Sequence, residues 1–190
     1  DGYSFTKYQF DPFDSSSLSQ NTIYTIWEDQ YGFIWVGTYE GLCRFDRSTE
    51  KFTRFKPDPN AKFSDPNISA VNEDSDGMIW AGSFMGGLCR LDRQKGIFVD
   101  ERFEILWVNC IYKDKAGTLW VGNPTGLHRI NLTAKKAGKL SGVSFTHYQY
   151  DPGNPNSLSS NKVRSIFEDH EGIMWLVTDK GLNSFDKKTG

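Results

Sequence analysis

Long hydrophobic runs, clustered histidines and an excess of either charge are all missing from this chain. Its 22 Lys and Arg residues are balanced by 24 Asp and Glu residues, so the net charge is only −2. Without a basic stripe, neither a nucleic acid nor an anionic membrane is expected as a partner. No apolar run approaches the length of a membrane span, and we therefore expect no direct membrane insertion by this segment.

Reactive side chains are also scarce. Only three Cys and three His occur among the 190 residues. Cys43 and Cys89 take the same position in two similar phrases, which predicts a separation too large for a disulfide. His128, His147 and His170 are scattered, so no metal or acid–base cluster is expected. The sequence thus predicts no catalytic residue, no metal ion and no cofactor, and a chain that is not an enzyme.

What the chain has in abundance is repetition. A phrase of Asp, two residues, Gly, a short apolar run around a Trp, and then Gly-Leu occurs four times, with Trp-to-Trp spacings of 45, 40 and 55 residues. Such a period predicts one supersecondary unit used repeatedly. The recurring Asp and Gly residues are expected to form structural turns, since Asp accepts backbone hydrogen bonds and Gly allows a positive φ. They are Asp29 and Gly32, Asp74 and Gly77, Asp114 and Gly117, and Asp169 and Gly172.

The first repeat reads as four short strands. Residues 22–28, 33–38, 42–46 and 51–56 are rich in aromatic and β-branched residues, and turn residues separate them. Four antiparallel strands repeated every forty-odd residues predict the blade of a β-propeller. The predicted fold is therefore all-β, a single propeller domain or segment over residues 1–190 with about four blades. We place the blades at about 20–57, 66–104, 106–150 and 161–186.

The first strands of the four repeats align in columns. Ile23, Ile68, Val108 and Val163 form one apolar column, and Thr25, Ala70, Cys110 and Ser165 form a column of small residues. Small side chains would let the first strands converge on a central axis, while the apolar column packs blade against blade.

The two ends of the chain leave the closure of the propeller open. Residues 3–12 (YSFTKYQFDP) match residues 143–152 (VSFTHYQYDP), which form the outer strand of the third blade. The fourth blade has only three strands, so an outer strand at residues 3–10 is expected to complete it. This predicts either a closed four-bladed ring or a segment of a larger propeller. A dimer that forms an eight-bladed ring is the third alternative.

The loops between the second and third strands open on one face of a propeller and vary most in sequence. They supply the candidate ligand-binding residues Tyr39, Glu40, Phe84, Met85, Asn123 and Asp179. Flat aromatic rings stack on the C–H faces of sugars, and the polar side chains can bond hydroxyl groups. The competing interpretation is that Phe84 and Met85 are covered by a neighbouring blade or domain.

The phrase DQYGFIWVGTYEGLCRFD at residues 29–46, and its copy at residues 74–92, resemble the two-component regulator propeller repeat. The resemblance extends over essentially the whole chain. The fourth copy departs from it, with Val177 in place of the Gly of the other copies and Ser184 in place of Arg. In the third copy, Asn123 and Asn131 replace the usual Thr and Asp.

In that family the repeats form the extracytoplasmic sensor of bacterial membrane histidine kinases, many of them hybrid kinases of Bacteroidetes that detect oligosaccharides. The resemblance implies a periplasmic sensor module of an inner-membrane phosphorelay protein. An oligosaccharide ligand, other domains of the parent sensor or a second subunit are the implied partners. The alternative is a structural or protein-interaction propeller with no ligand of its own. A streptogramin-lyase-like enzyme is less favoured, because it needs a positioned His and acid.

Overall fold

In the computed structural model, residue 2 and residues 4–99, 102–132, 142–187 and 189 are described. Fifteen β-strands account for all the regular structure of this part of the chain. Blade 1 consists of β1 (Ile23–Glu28), β2 (Ile34–Thr38), β3 (Gly41–Asp46) and β4 (Lys51–Phe55). Blade 2 consists of β5 (Ile68–Glu73), β6 (Ile79–Ser83), β7 (Leu88–Asp92) and β8 (Ile97–Phe98). Blade 3 consists of β9 (Cys110–Lys113), β10 (Leu119–Asn123), β11 (Gly126–Leu132) and β12 (Val143–Tyr148), and blade 4 of β13 (Val163–Glu168), β14 (Met174–Thr178) and β15 (Gly181–Phe185).

Each blade is an antiparallel sheet whose strands pair in sequence order. Blades 1 to 3 have four strands, and blade 4 has three. Successive blades pack through their first strands, in the order β1, β5, β9 and β13. The all-β propeller fold with four blades is therefore confirmed.

The Asp of the repeated turn phrase has a carboxylate that accepts several hydrogen bonds. In blade 1, Asp29 Oδ1 accepts the backbone amides of Tyr31 and Phe33 at 2.9 and 3.0 Å, and Oδ2 accepts the indole Nε1 of Trp35 at 2.8 Å. Gly32 follows with a φ of 82°, which a side chain would strain. The equivalent indole bonds to Asp74, Asp114 and Asp169 measure 3.0, 3.0 and 2.7 Å. The Asp, Gly and Trp of the phrase thus hold the first hairpin of every blade.

A glycine in the second strand sets how closely blades approach. Gly82 lies against Val108 of the next blade, and a Cβ there would stand 2.3 Å from Val108 Cγ1. Gly37 and Gly122 meet the next blade in the same way, against Ile68 and Val163. The hydrophobic core accordingly lies between blades as well as within them, with Trp35, Trp80 and Trp120 fully buried.

Blade 4 lacks the glycine that lies at the other junctions. Val177 occupies the glycine position, pairs with Ser165 across the hairpin and is 42% exposed. No described blade packs over it. At the other end of the array Ile23 and Ile26 of β1 are 50% and 69% exposed. The four described blades therefore form an open array, since blade 1 and blade 4 present uncovered faces.

The N-terminal segment packs on blade 1. Tyr3 lies outside the described residues, and residues 4–10 join no sheet. The ring of Tyr8 contacts Phe45 and Phe52, with centroids 4.8 and 5.8 Å apart. The outer strand predicted at residues 3–10 is thus not paired with β15 in the described chain, because these aromatic contacts hold it beside β3 and β4.

The recurring arginines of the third strands lie over aromatic rings. The guanidinium of Arg44 lies 4.5 Å from the ring centroid of Phe33, and those of Arg90 and Arg129 lie 5.6 and 5.8 Å from the centroids of Trp80 and Trp120. Cation–π contacts of this kind stabilise the blade interior.

Candidate ligand-binding site

The four first strands surround a depression at the centre of the array. Tyr24, Ser69, Asn109 and Arg164 occupy the position that follows the apolar column in each repeat, and together with Phe84 and Val108 they line a cavity of about 220 Å³. Because equivalent residues of all four blades meet there, the cavity lies on the propeller axis. We call it the axial site.

Backbone ties between blades position the polar groups of the axial site. Ser69 Oγ donates a hydrogen bond to the carbonyl oxygen of Val108 at 2.5 Å, and Asn109 Nδ2 donates to that of Val163 at 2.8 Å. Each side chain thereby fixes the first strand of its own blade against the next one. Asn109 is partly buried, and Arg164 is exposed.

Three aromatic side chains form a cluster at the edge of the axial site. The ring centroids of Tyr24 and Phe84 lie 5.2 Å apart, and those of Phe84 and Trp107 lie 5.9 Å apart. Trp107 has a φ of 55°, which is rare for a bulky residue, and its amide donates to the carbonyl oxygen of Phe84 at 2.7 Å. This backbone leaves Trp107 half exposed. Strained conformations persist where surrounding structure enforces them, and they cluster at functional sites.

The residues predicted for the rim loops are dispersed over the structure. Phe84 belongs to the aromatic cluster just described. Tyr39 is 49% exposed, and Glu40 is paired with Lys56 at 3.1 Å. Met85 is exposed, and its backbone amide donates to Asp65 Oδ2 at 2.7 Å.

The two polar residues predicted on later loops have partners within their own blades. Asn123 is buried, donates through Nδ2 to the carbonyl oxygen of Leu106 at 3.0 Å and accepts the amide of Thr125 at 2.8 Å. Asp179 pairs with Lys162 at 3.4 Å. A hydrogen bond from Ser160 is the main cause of the lowered pKa of Asp179. A joint rim site of these residues stays a prediction.

Sequence reasoning did not identify Tyr24, Trp107, Asn109 and Arg164. In the sequence, Tyr24 and Arg164 resemble ordinary strand residues. Trp107 lies in the segment that connects blades 2 and 3, which contains no recognisable motif. The signal available was the column itself: the position after each apolar first-strand residue changes from Tyr to Ser, Asn and Arg. Variation on an otherwise repeated scaffold is typical of a binding surface.

The histidines give no metal site in the described residues, which contain no group of three or more His, Cys, Asp or Glu side chains able to hold an ion. His128 and His147 form a pair between β11 and β12, with their Nδ1 atoms 2.6 Å apart. The burial of His128 disfavours its imidazolium, and His147 adds to this effect, so the pKa of His128 falls to about 4. The three cysteines, all among the described residues, form no disulfide, and burial raises the pKa of the Cys110 thiol to about 12.

Comparison with protein families gives a match to the repeated hairpins. The matching family model, described as "two component regulator propeller", covers residues 17–40, 105–125 and 157–180. Three stretches of the chain therefore match the two-component regulator propeller repeat. Each matched stretch covers the first hairpin of its blade, β1–β2, β9–β10 or β13–β14, where the carboxylate–indole bond lies. No curated protein matches the chain significantly.

Two solved extracellular domains of bacterial two component systems are similar to this chain in sequence and fold. The extracellular domain of a hybrid two component system from B. thetaiotaomicron is similar, with 29% identity, a TM-score of 0.72, and coverage of 92% of this chain and 22% of that one. The corresponding domain of a second such system from the same bacterium has 26% identity, a TM-score of 0.62, and coverage of 95% and 29%. The chain therefore spans between a fifth and a third of these relatives.

An enzyme is among the structures that share only the fold. Virginiamycin B lyase from Staphylococcus aureus is 14% identical, with a TM-score of 0.59 and coverage of 86% of this chain and 55% of that one. The two structures named above, at 29% and 26% identity, are extracellular domains of hybrid two component systems. The described residues contain no helix long and apolar enough to cross a membrane.

Proposed function

We propose that this chain is an extracytoplasmic, ligand-binding propeller module of a two-component sensor histidine kinase, and that its ligand is an oligosaccharide. The module would lie in the periplasmic part of an inner-membrane protein. It would transmit binding to other domains of the parent sensor or to a second subunit. It carries no catalytic residue in this proposal.

The aromatic cluster beside the axial site is the observation that carries the proposal. The exposed ring of Tyr24 lines the axial site together with Asn109 and Arg164, and the half-exposed ring of Trp107 contacts Phe84 of the same site. Apolar ring faces suit the C–H surfaces of a sugar, and a few convergent polar groups fix its orientation. The similarity to extracellular domains of hybrid two component systems supports a sensory role.

The test is calorimetric titration of the chain with a panel of oligosaccharides derived from plant and host glycans. For any binder, we expect Trp107→Ala and Tyr24→Ala to weaken affinity about tenfold or more, as loss of an aromatic contact implies. Tyr31→Ala is the matched control, because Tyr31 is an exposed tyrosine of the Asp29 turn, outside the axial site. Tyr39→Ala separates the axial site from the predicted rim site.

A protein-interaction propeller is the second candidate, and the uncovered faces of blades 1 and 4 favour it. It predicts no sugar binding by the chain and protection of β1 or β15 amides from exchange only when a partner is added. If a bound oligosaccharide tolerated Trp107→Ala and Tyr24→Ala, with both variants folded, the axial site would be excluded.

A further inference from the structure

The connection between blades 2 and 3 is the short one of the array. Residues 104–107 join Phe103, which pairs with Leu88 of blade 2, to Val108 of the apolar column. The connection before blade 2 comprises residues 56–67, and the one before blade 4 comprises residues 149–162. The short connection turns sharply at Trp107, which has a φ of 55°. A bulky residue rarely adopts this conformation, so neighbouring groups must hold it.

The peptide group between Leu106 and Trp107 is held at both ends. Its N–H, the amide of Trp107, donates to the carbonyl oxygen of Phe84 at 2.7 Å. Its carbonyl oxygen, that of Leu106, accepts a hydrogen bond from Asn123 Nδ2 at 3.0 Å. Because a peptide group is planar, the two bonds fix the orientation of the backbone that enters Trp107. The ring of Trp107 then lies against Phe84, with the centroids 5.9 Å apart.

Neighbouring groups of blade 3 orient the Asn123 side chain. Its Oδ1 accepts the amide of Thr125 at 2.8 Å, so Nδ2 is the end that reaches Leu106. The same Oδ1 lies 2.9 Å from His128 Nε2, and since this oxygen only accepts, Nε2 carries the imidazole proton. Nδ1 of His128 is then the acceptor for His147 Nδ1 at 2.6 Å. Burial and the neighbouring His147 lower the pKa of His128 to about 4, which keeps its ring neutral near pH 7.

Blades 1 and 4 have a threonine at the position of Asn123. By strand register these residues are Thr38 and Thr178. Thr38 Oγ1 lies 2.8 Å from Ser19 Oγ, and Thr178 Oγ1 lies 2.9 Å from Ser159 Oγ. Both serines belong to the connection that precedes the blade, whereas the short connection before blade 3 contains no serine. The exchange of Thr for Asn in the third repeat therefore replaces a serine hydroxyl with a backbone carbonyl as the partner in the connection.

We propose that Asn123 is a positioning residue of the axial site. Through its bond to the Leu106 carbonyl it holds Trp107 in the left-handed conformation, and with it the ring contact to Phe84. His128 acts one step further away, because its bond to Oδ1 keeps Nδ2 of Asn123 directed at Leu106. Asn123 is 2% exposed, so this role requires no contact with a ligand.

The inference has one part that depends on a ligand and one that does not. The effect of Asn123 on oligosaccharide affinity rests on the proposed function, because it acts through the ring of Trp107. The effect of Asn123 on the backbone of Trp107 is a property of the free chain. A measurement on the Trp107 amide therefore tests the positioning role whether or not a sugar binds.

The experiment measures hydrogen exchange of the Trp107 amide by NMR in the chain and in Asn123→Thr. The variant carries the residue of blades 1 and 4 and lacks the donor to the Leu106 carbonyl. We expect the Trp107 amide to exchange at least about tenfold faster, as the loss of one hydrogen bond implies. The indole signal of Trp107, assigned with Trp107→Phe, should shift. The affinity for any oligosaccharide that the chain binds should fall about tenfold, since the ring is no longer preorganised.

Two further variants separate positioning from a general loss of stability. Asn123→Asp keeps the oxygen that accepts from Thr125 but sets an acceptor against the Leu106 carbonyl, so it should accelerate exchange as Asn123→Thr does. Thr38→Val is the matched control, because it removes a buried hydroxyl at the same position of blade 1. It should lower the urea midpoint and leave the Trp107 amide and indole signals unchanged.

Unchanged exchange and indole shift of Trp107 in folded Asn123→Thr or Asn123→Asp would overturn the inference. Equal acceleration in Thr38→Val would overturn it as well, since the effect would then be one of global stability. Faster exchange confined to the Asn123 variants, in a chain that binds no oligosaccharide, would support the positioning role and count against the proposed function.

Discussion

The first strands of blades 1 and 2 have similar sequences and very different surroundings. Ile68 and Val71 of β5 are 0% and 4% exposed, whereas the equivalent Ile23 and Ile26 of β1 are 50% and 69% exposed. The difference arises from the neighbour alone, since β5 has blade 1 against it and β1 has no described blade on that side. An apolar column therefore marks a surface able to form a junction, and burial depends on whether the junction is made.

The largest expected effect comes from placing valine, the residue that blade 4 has at position 177, at the glycine position of the junction between blades 2 and 3. Gly82→Val should destabilise the chain by about 3 kcal/mol or abolish cooperative unfolding, because its side chain would overlap Val108. The reciprocal Val177→Gly should cost only about 1 kcal/mol, the backbone entropy of a glycine in a strand. Urea unfolding followed by tryptophan fluorescence measures both. Equal losses in the two variants would contradict the comparison.

A second prediction concerns the charges that join blades 1 and 2. Arg93 bonds Asp29 of blade 1 and Glu73 of its own blade, both at 2.9 Å, and the two carboxylates are almost fully buried. Arg93→Ala should cost about 3 kcal/mol, since it leaves the buried Asp29 without its cation and Glu73 with only Lys113 at 3.4 Å. The matched Arg47→Ala on the uncovered face of blade 1 should cost about 0.5 kcal/mol, because its pair with Glu28 is exposed. Thermal and urea unfolding of both variants would rank them, and a loss for Arg47→Ala as large as that for Arg93→Ala would disprove this ranking.

A smaller effect is expected for the indole bond. Trp80→Phe keeps an aromatic ring but removes the donor to Asp74 Oδ2, so it should cost about 1–2 kcal/mol. Trp175→Phe should cost less, because the Asp169 turn is more exposed and water replaces the lost bond. The urea midpoints of the two variants provide the measurement, and a larger loss for Trp175→Phe would contradict this order.

A further prediction concerns the pH dependence of stability in blade 3. The pKa of His128 falls to about 4 from an ordinary value of 6.5. Between these values the unfolded chain binds a proton that the folded chain does not, so stability should decrease as the pH falls from 6.5 to 4. His128→Cys introduces the residue found at this position in blades 1 and 2, and it should reduce the slope of the urea midpoint against pH. An unchanged slope would assign the effect to other groups.

The sequence allowed the repeat to be predicted because each blade rests on local chemistry. The Asp, Gly and Trp of a turn lie within seven residues, and their bonds form inside one hairpin. The axial site could not be predicted in this way, since Tyr24, Asn109 and Arg164 meet only after three blades have curved around an axis. Trp107 gives no sequence signal for its positive φ. The position of the N-terminal segment also depends on tertiary contacts of Tyr8, which similarity to residues 143–152 does not specify.

Val177 also bears on how such a propeller gains or loses repeats. A duplicated blade inserted between blades 1 and 2 meets a glycine on the preceding blade and is accommodated. The same duplicate placed after blade 4 would set a β-branched residue against a valine. A blade that packs on this face of blade 4 therefore needs a small residue in its first strand. A single isopropyl group thus selects which first strand can pack next to blade 4.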